Sequence, residues 1–250
     1  MKIDAIIQVR SNSSRLKNKC YKFFHHKTYL EILISRVKKS KYIDNIIIAT
    51  TNKKEDDRVE IISKRNGLKC IRGSENNVFK RFNLYISSYR KKYFLRITGD
   101  RIFFDWKLND FLIKKFYNKN FDYVNFTNSI YPGQPNDFTG ELINSQKFRK
   151  ALNFKLSKEM KEHIYPYFLN KKSRLLELPK THILFNSLTL DTKEDLNLFR
   201  ELKFKFKKIT NIETKKIIQF FIEKFFLQQK HSKMKLHNKI KNLVLKKTSN

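Results

Sequence analysis

The chain has 250 residues, 40% of them hydrophobic and 31% charged, enough for one large folded core and too apolar for wholesale disorder. It holds no run of about 18 uncharged apolar residues, which excludes a membrane-spanning helix, and its two cysteines, Cys20 and Cys70, make no disulfide framework and fit the reduced cytosol. The formal charge of +32 points to anionic partners; it is read as lysine-rich compositional drift plus an anionic substrate, and no specific nucleic acid is expected.

Asp4 to Val9 is a short apolar run and predicts a buried first strand. Asp4 inside that run, with no small-residue cleavage site, argues against a signal peptide. A polar loop follows from Arg10 to Lys19. Thr28 to Ser40 has Leu30, Leu33, Ile34 and Val37 at helical spacing. Asn45 to Thr50 predicts a second strand, and Glu55 to Asn66 a helix stopped by Gly67. Leu68 to Ile71 is a strand, Asn76 to Tyr89 a helix, Tyr93 to Thr98 a strand and Trp106 to Tyr117 a helix. Phe121 to Phe126 is a strand, and a long polar loop with Pro132, Gly133 and Pro135 comes after it. Ser145 to Asn153 and Ser157 to Asn170 predict helices, and Ile183 to Leu190 is strand-like. Thr192 suits the N-cap of a helix from Lys193 to Leu202, with Glu194 and Asp195 in its first turn. Residues 203–250 then carry 14 lysines against two acids, Glu213 and Glu223. Within them Thr214 to Gln229 predicts an apolar-rich helix, and 230–250 a basic tail. Strands alternating with helices, apolar on both faces, predict an α/β fold with a mostly parallel sheet. In such sheets ligands bind beyond the carboxyl ends of the strands.

Three loops there carry chemistry. The first runs Gln8-Val9-Arg10-Ser11-Asn12-Ser13-Ser14-Arg15-Leu16-Lys17-Asn18-Lys19. Its backbone amides and cations can wrap a polyphosphate, although alone it also fits a solvated loop. The second, Arg96-Ile97-Thr98-Gly99-Asp100-Arg101, ends a strand in a carboxylate beside a glycine, which suits a hard cation held against phosphate. Asp100 as a turn cap is the plainer reading. The third, Leu188-Thr189-Leu190-Asp191-Thr192, repeats the strand-then-aspartate pattern.

With Arg72-Gly73-Ser74-Glu75 to Val78, Glu162-His163-x-x-Pro166-Tyr167 and Asp191-Thr192-x-Glu194-Asp195-Leu196, these motifs resemble, in order, the acylneuraminate/Kdo cytidylyltransferase superfamily, nearest its spore coat polysaccharide biosynthesis branch. The resemblance covers roughly residues 1–201. It implies a three-layer Rossmann-like nucleotidyltransferase fold over 1–202; residues 203–250 lie outside it and are read, from their lysine-rich composition, as a basic helical C-terminal extension. It implies CTP as substrate, a sugar (in most members a 2-keto sugar acid) as acceptor, Mg2+ as cofactor, and a role in surface polysaccharide biosynthesis. By the same resemblance Gln8, Arg10, Ser13, Ser14, Arg15, Lys19, Arg96 and Gly99 bind the nucleotide. Arg15, Lys19 and Asp100 are catalytic, Asp100 and Asp191 hold the metal, and Glu141 and His163 face the sugar; His163 equally suits a structural place in its helix.

The sequence departs from the family at three places. Lys17-Asn18 replaces Pro-Gly, so the loop is expected to be less preset. Arg101-Ile102 replaces Cys-Pro, and Arg101 is expected either to pair with Asp100 or to hold a phosphate. Thr139 stands where an Asp is common, two residues before Glu141. The aromatic run Phe220, Phe221, Phe225 and Phe226 is read as a packing or homodimer surface, and the basic tail offers peripheral membrane contact. The alternative function is a catalytically inactive polyanion- or RNA-binding scaffold.

Overall fold

Runs rich in isoleucine, apolar on both faces, suit the middle of a sheet covered on two sides. The computed structural model describes residues 1–12, 16–127, 136–169, 171–182, 188–189 and 193–224. Its strands are β1 (Ile3–Gln8), β2 (Phe23–Phe24), β3 (Lys27–Thr28), β4 (Ile43–Thr51), β5 (Lys69–Gly73), β6 (Tyr93–Thr98), β7 (Tyr123–Phe126), β8 (Glu141–Asn144) and β9 (Ser173–Leu176). Its helices are α1 (Tyr29–Val37), α2 (Asp57–Arg65), α3 (Val78–Ile86), α4 (Trp106–Phe116), α5 (Ser145–Ala151), α6 (Lys158–Glu162), α7 (Tyr165–Leu169), α8 (Lys193–Lys205) and, over 214–224, α9.

Seven strands form one sheet in the order β5-β4-β1-β6-β8-β7-β9, and β2 and β3 make a small hairpin. β5, β4, β1 and β6 pair in parallel, as do β7 and β9; β8 runs antiparallel to both β6 and β7. One face packs Ile3, Ala5 and Ile7 against α1, α4, α8 and α9. The other packs Ile6, Phe94 and Ile143 against α3, α5 and α7. The result is a three-layer α/β arrangement, with helices on both faces of a mostly parallel sheet. None of the described helices is long and apolar enough to cross a membrane.

Three features differ from the sequence expectation. β8 lies where only loop was expected before Ser145, and β9 was not foreseen. Both are four-residue strands, Glu141–Asn144 and Ser173–Leu176, too short for alternation to be legible and carrying polar side chains. The helix expected from Ser157 to Asn170 is broken. α6 ends at Glu162, its C-cap His163 is extended (φ −117, ψ 98), and the chain turns helical again at Tyr165 in α7. Pro166 explains the break, because its ring clashes with the carbonyl four residues back and supplies no N–H. The strand-like stretch Ile183 to Leu190 lies largely outside the described residues, as do the Thr192 cap and everything after 224.

The boundary expected at 202/203 falls inside α8. Ile209, Ile217, Ile218, Phe220 and Phe221 are all buried in the core. Arg36 of α1, fully buried, clasps this segment. Its guanidinium donates to the carbonyls of Phe104, Ile209 (2.9 Å) and Ile212 (2.8 Å) and to the Thr214 hydroxyl (2.7 Å).

Candidate active site

At the carboxyl ends of β1 and β6 a cleft of about 340 Å3 opens on the α3 side of the sheet. Gln8 and Arg10 enter it from β1 and its loop, Lys19 from the loop's far end, and Arg96, Gly99 and Asp100 from β6. α3 contributes Val78 and Arg81, and the α6–α7 break contributes Glu162 and His163. Parallel register explains the convergence: Gln8 lies opposite Thr98, so the two loops leave the sheet side by side. Gly99 lets them touch, since a Cβ there would stand 2.9 Å from the Val9 Cβ and 3.1 Å from the Gln8 carbonyl.

The front of the cleft is ionic. Lys19 Nζ lies 3.3 Å from Asp100 Oδ2, and the Thr98 hydroxyl donates to Asp100 Oδ1 at 2.6 Å. Burial pushes the Asp100 pKa up, but Lys19, the Thr98 hydroxyl and Arg101 outweigh it and hold the carboxyl at about 2. Arg10 Nη2 pairs with Glu162 Oε1 at 3.2 Å. The loop between them turns through Asn18, which takes the left-handed conformation (φ 58, ψ 23) and donates its N–H to the Ser11 carbonyl at 2.9 Å. Asn is among the few side chains that tolerate this conformation. Asn18 thus makes this turn without a glycine.

Behind the cleft lies a buried charge cluster. β6 and β8 pair Arg96 directly with Glu141, and Arg96 Nη1 donates to Glu141 Oε1. Arg96 also grips Gln8 Oε1 through Nε (3.1 Å) and Nη2 (3.0 Å). Arg101 turns away from the cleft. It donates to the Thr139 carbonyl and lies 3.6 Å from Glu141 Oε1, at 6% exposure. It therefore neither pairs with Asp100 in a hydrogen-bonded contact nor reaches a phosphate from this position. Glu141, expected to face the sugar, is wholly buried and is not part of the cleft wall. Its Oε2 has no hydrogen-bond partner among the described residues. Gly140 sets this contact, because a Cβ there would come within 2.5 Å of Leu95 Cγ and push β8 off β6.

Two side chains were missed from sequence. Arg81 is 1% exposed, yet its Nε and Nη1 lack partners among the described residues. Burial, with repulsion from Arg10 and Arg96, lowers its pKa to about 10. The available signal was a charge set between Phe79 and Phe82 on the apolar stripe of a helix. Asp56, also 1% exposed, accepts from Ser11 N and Ser11 Oγ (both 2.7 Å) and from Thr51, tying the first loop to the end of β4. Burial raises its pKa, and the Thr51 and Ser11 hydrogen bonds more than reverse this, leaving it lowered. In sequence it reads as an ordinary acid in the first turn of a helix.

The cleft thus brings together Gln8, Arg10, Lys19, Arg96, Gly99, Asp100 and His163. Ser13, Ser14, Arg15 and Asp191 lie outside the described residues. Among the described residues no three His, Cys, Asp or Glu side chains cluster to hold a metal. The arrangement can neutralise a polyanion and keep an ionised carboxylate beside it.

A family model described as Cytidylyltransferase matches residues 5–239. Uncharacterized protein MJ1063 of Methanocaldococcus jannaschii is 35% identical over 225 residues, covering 88% of this chain and 90% of that protein. The spore coat polysaccharide biosynthesis protein SpsF of Bacillus subtilis is 31% identical over 210 residues, covering 79% and 84%. Among solved structures, a cytidylyltransferase from Leptospira borgpetersenii superposes with a TM-score of 0.80 at 26% identity, over 90% of this chain and 95% of that one.

Proposed function

Since the chain belongs to the cytidylyltransferase family of CTP-dependent nucleotidyltransferases, we propose that it transfers CMP from CTP to a sugar, a 2-keto sugar acid, for surface polysaccharide biosynthesis. The observation that carries the reading is the cleft itself, where Arg10, Lys19 and an ionised Asp100 converge at the carboxyl ends of β1 and β6. The sugar hydroxyl oxygen bonds to the α-phosphorus, the bond to the β-phosphate breaks, pyrophosphate leaves, and the hydroxyl proton passes to solvent. Such a transfer needs positioning and charge neutralisation more than covalent help.

Arg10 and Lys19 meet the triphosphate, joined by Arg15 and the hydroxyls of Ser13 and Ser14. Gln8, Arg96 and Gly99 form the floor under the nucleotide. His163 lies at the rim on the sugar side, and Glu141 acts on that side through Arg96. Asp100 fits a hard cation, being an ionised oxygen donor beside the phosphate site, and Mg2+ commonly takes one or two carboxylates plus phosphate oxygens. Asp100 and Asp191 would hold it, and it would neutralise charge on the phosphates. The free thiols of Cys20 and Cys70 suit the cytoplasm. Phe220 and Phe221 are buried within the chain, so a homodimer would use other surface; peripheral membrane contact belongs to the basic tail, 230–250.

The test is thermal unfolding with CTP, UTP, GTP, ATP and dTTP, with and without Mg2+, followed by pyrophosphate release with 2-keto sugar acids. A ligand at 100 times its dissociation constant adds about 2.7 kcal/mol. Selective stabilisation by CTP, strengthened by Mg2+, is expected. Equal shifts with every polyanion would replace this reading by the inactive polyanion- or RNA-binding scaffold.

A further inference from the structure

α3 turns an apolar face to the sheet, with Val78, Phe79, Phe82 and Ile86 buried. Arg81 is buried with them and also lines the inner wall of the cleft. A guanidinium held out of water needs acceptors for its donors. Here Nε and Nη1 have none among the described residues. The neighbouring acids are engaged elsewhere: Glu75 Oε2 lies 3.6 Å from Lys53 Nζ, and Asp56 accepts from Ser11 and Thr51. The neighbouring cations, Arg10 and Arg96, repel it. A methionine would fill this space at less cost to the free protein.

Three guanidiniums from β1's loop, α3 and β6 therefore face one cleft, and one of them lacks its acceptors. That positive convergence selects an anion over a neutral ring, and a guanidinium fork matches phosphate oxygens. We infer that Arg81 binds a phosphate oxygen of the nucleotide, and that its unpaired donors are satisfied only in the complex. The inference rests on the reading that the cleft takes CTP.

The full chain and its R81M and R81K variants are compared by thermal unfolding and calorimetric titration with CTP, CMP, pyrophosphate and cytidine. Free R81M is expected to melt at or above the wild-type temperature, because the orphaned donors are gone. Its CTP affinity is expected to fall roughly tenfold to a hundredfold, the usual loss for a hydrogen bond to a charged group, while cytidine binding holds. R81K keeps the charge without the fork and is expected to fall between the two; it also serves if R81M does not fold. A lower melting temperature with CTP affinity intact would make Arg81 a structural residue and overturn the inference. Equal losses for cytidine and CTP would move the contact to the base and overturn it too. A wild-type protein indifferent to CTP would instead sink the parent reading, and that result appears without any variant.

Discussion

Replacing Glu141 by Gln separates two roles for the residue, sugar contact and internal support. Glu141 is 0% exposed, and its Oε1 serves both Arg96 (2% exposed) and Arg101 (6% exposed). The amide would keep the shape and remove the only carboxylate in contact with either guanidinium among the described residues. Breaking a buried ion pair by removing one partner costs about 3–5 kcal/mol. The lower end applies, because Oε2 is already unpaired among the described residues and loses nothing. For a chain of this size each kcal/mol moves the melting temperature by roughly 2–4 °C. E141Q should therefore melt about 6–12 °C below wild type. Adding R101M should recover part of that loss, since one of the two stranded cations goes with it, and the two effects should not add. Circular dichroism melts of the three variants provide the stability readout, and pyrophosphate release the activity. A normal melting temperature for E141Q, with the loss confined to the sugar KM, would refute the supporting role and put Glu141 in contact with substrate.

Asp100→Asn should lower kcat on the order of a hundredfold or more, read as pyrophosphate release at saturating CTP. The native carboxyl titrates at about 2, below an ordinary Asp near 3.9. Its stabilising share is thus complete above about pH 5 and is lost as pH falls toward 2; wild-type and D100N stability should differ by a constant amount between pH 6 and 9 in urea titrations. Asp56→Ala strands the Ser11 and Thr51 amides, so it should cost about 1–3 kcal/mol in denaturant and raise the KM for CTP more than it lowers kcat. Asn18→Gly should match or exceed wild-type stability, whereas Asn18→Val should lose roughly 1–2 kcal/mol through its left-handed backbone, with both measured by thermal melts.

The long elements were legible because their hydrophobic period was. β1, β4 and β6 are isoleucine- or phenylalanine-rich runs with few polar interruptions, and α1 shows the helical spacing of Leu30, Leu33, Ile34 and Val37; the structure adds a Thr28–Glu31 capping box at its start. β8 was illegible, since two of its four residues, Glu141 and Asn144, are polar and owe their burial to Arg96 and to capping α5. The break at His163 was readable in principle from Pro166. In the site, Gln8, Arg10, Lys19, Arg96, Gly99, Asp100 and His163 come from motifs whose spacing the sheet converts into proximity. What sequence could not supply was direction. Arg101 follows the proposed metal ligand, yet its side chain points into the protein toward the Thr139 carbonyl. Glu141 is likewise set by a cross-strand register that no local pattern encodes, and Arg81 and Asp56 matter through partners, or a lack of them, far away in the chain.

The Arg36 clasp bears on how the protein is made. Arg36 leaves the ribosome more than 170 residues before the carbonyls and hydroxyl of 209–214 that receive it, separated from them by 173, 176 and 178 positions. At about 5–20 residues per second, its guanidinium waits roughly 9–35 s for those acceptors, with only the Phe104 carbonyl arriving sooner. Through that interval the sheet face lined by Ile3, Ala5 and Ile7 lacks α9, and for most of it α8 as well. A nascent chain stalled before residue 209 should therefore show chaperone binding and protease sensitivity that disappear once the clasp closes, so that completion of the core is timed by the last described helix and not by the sheet.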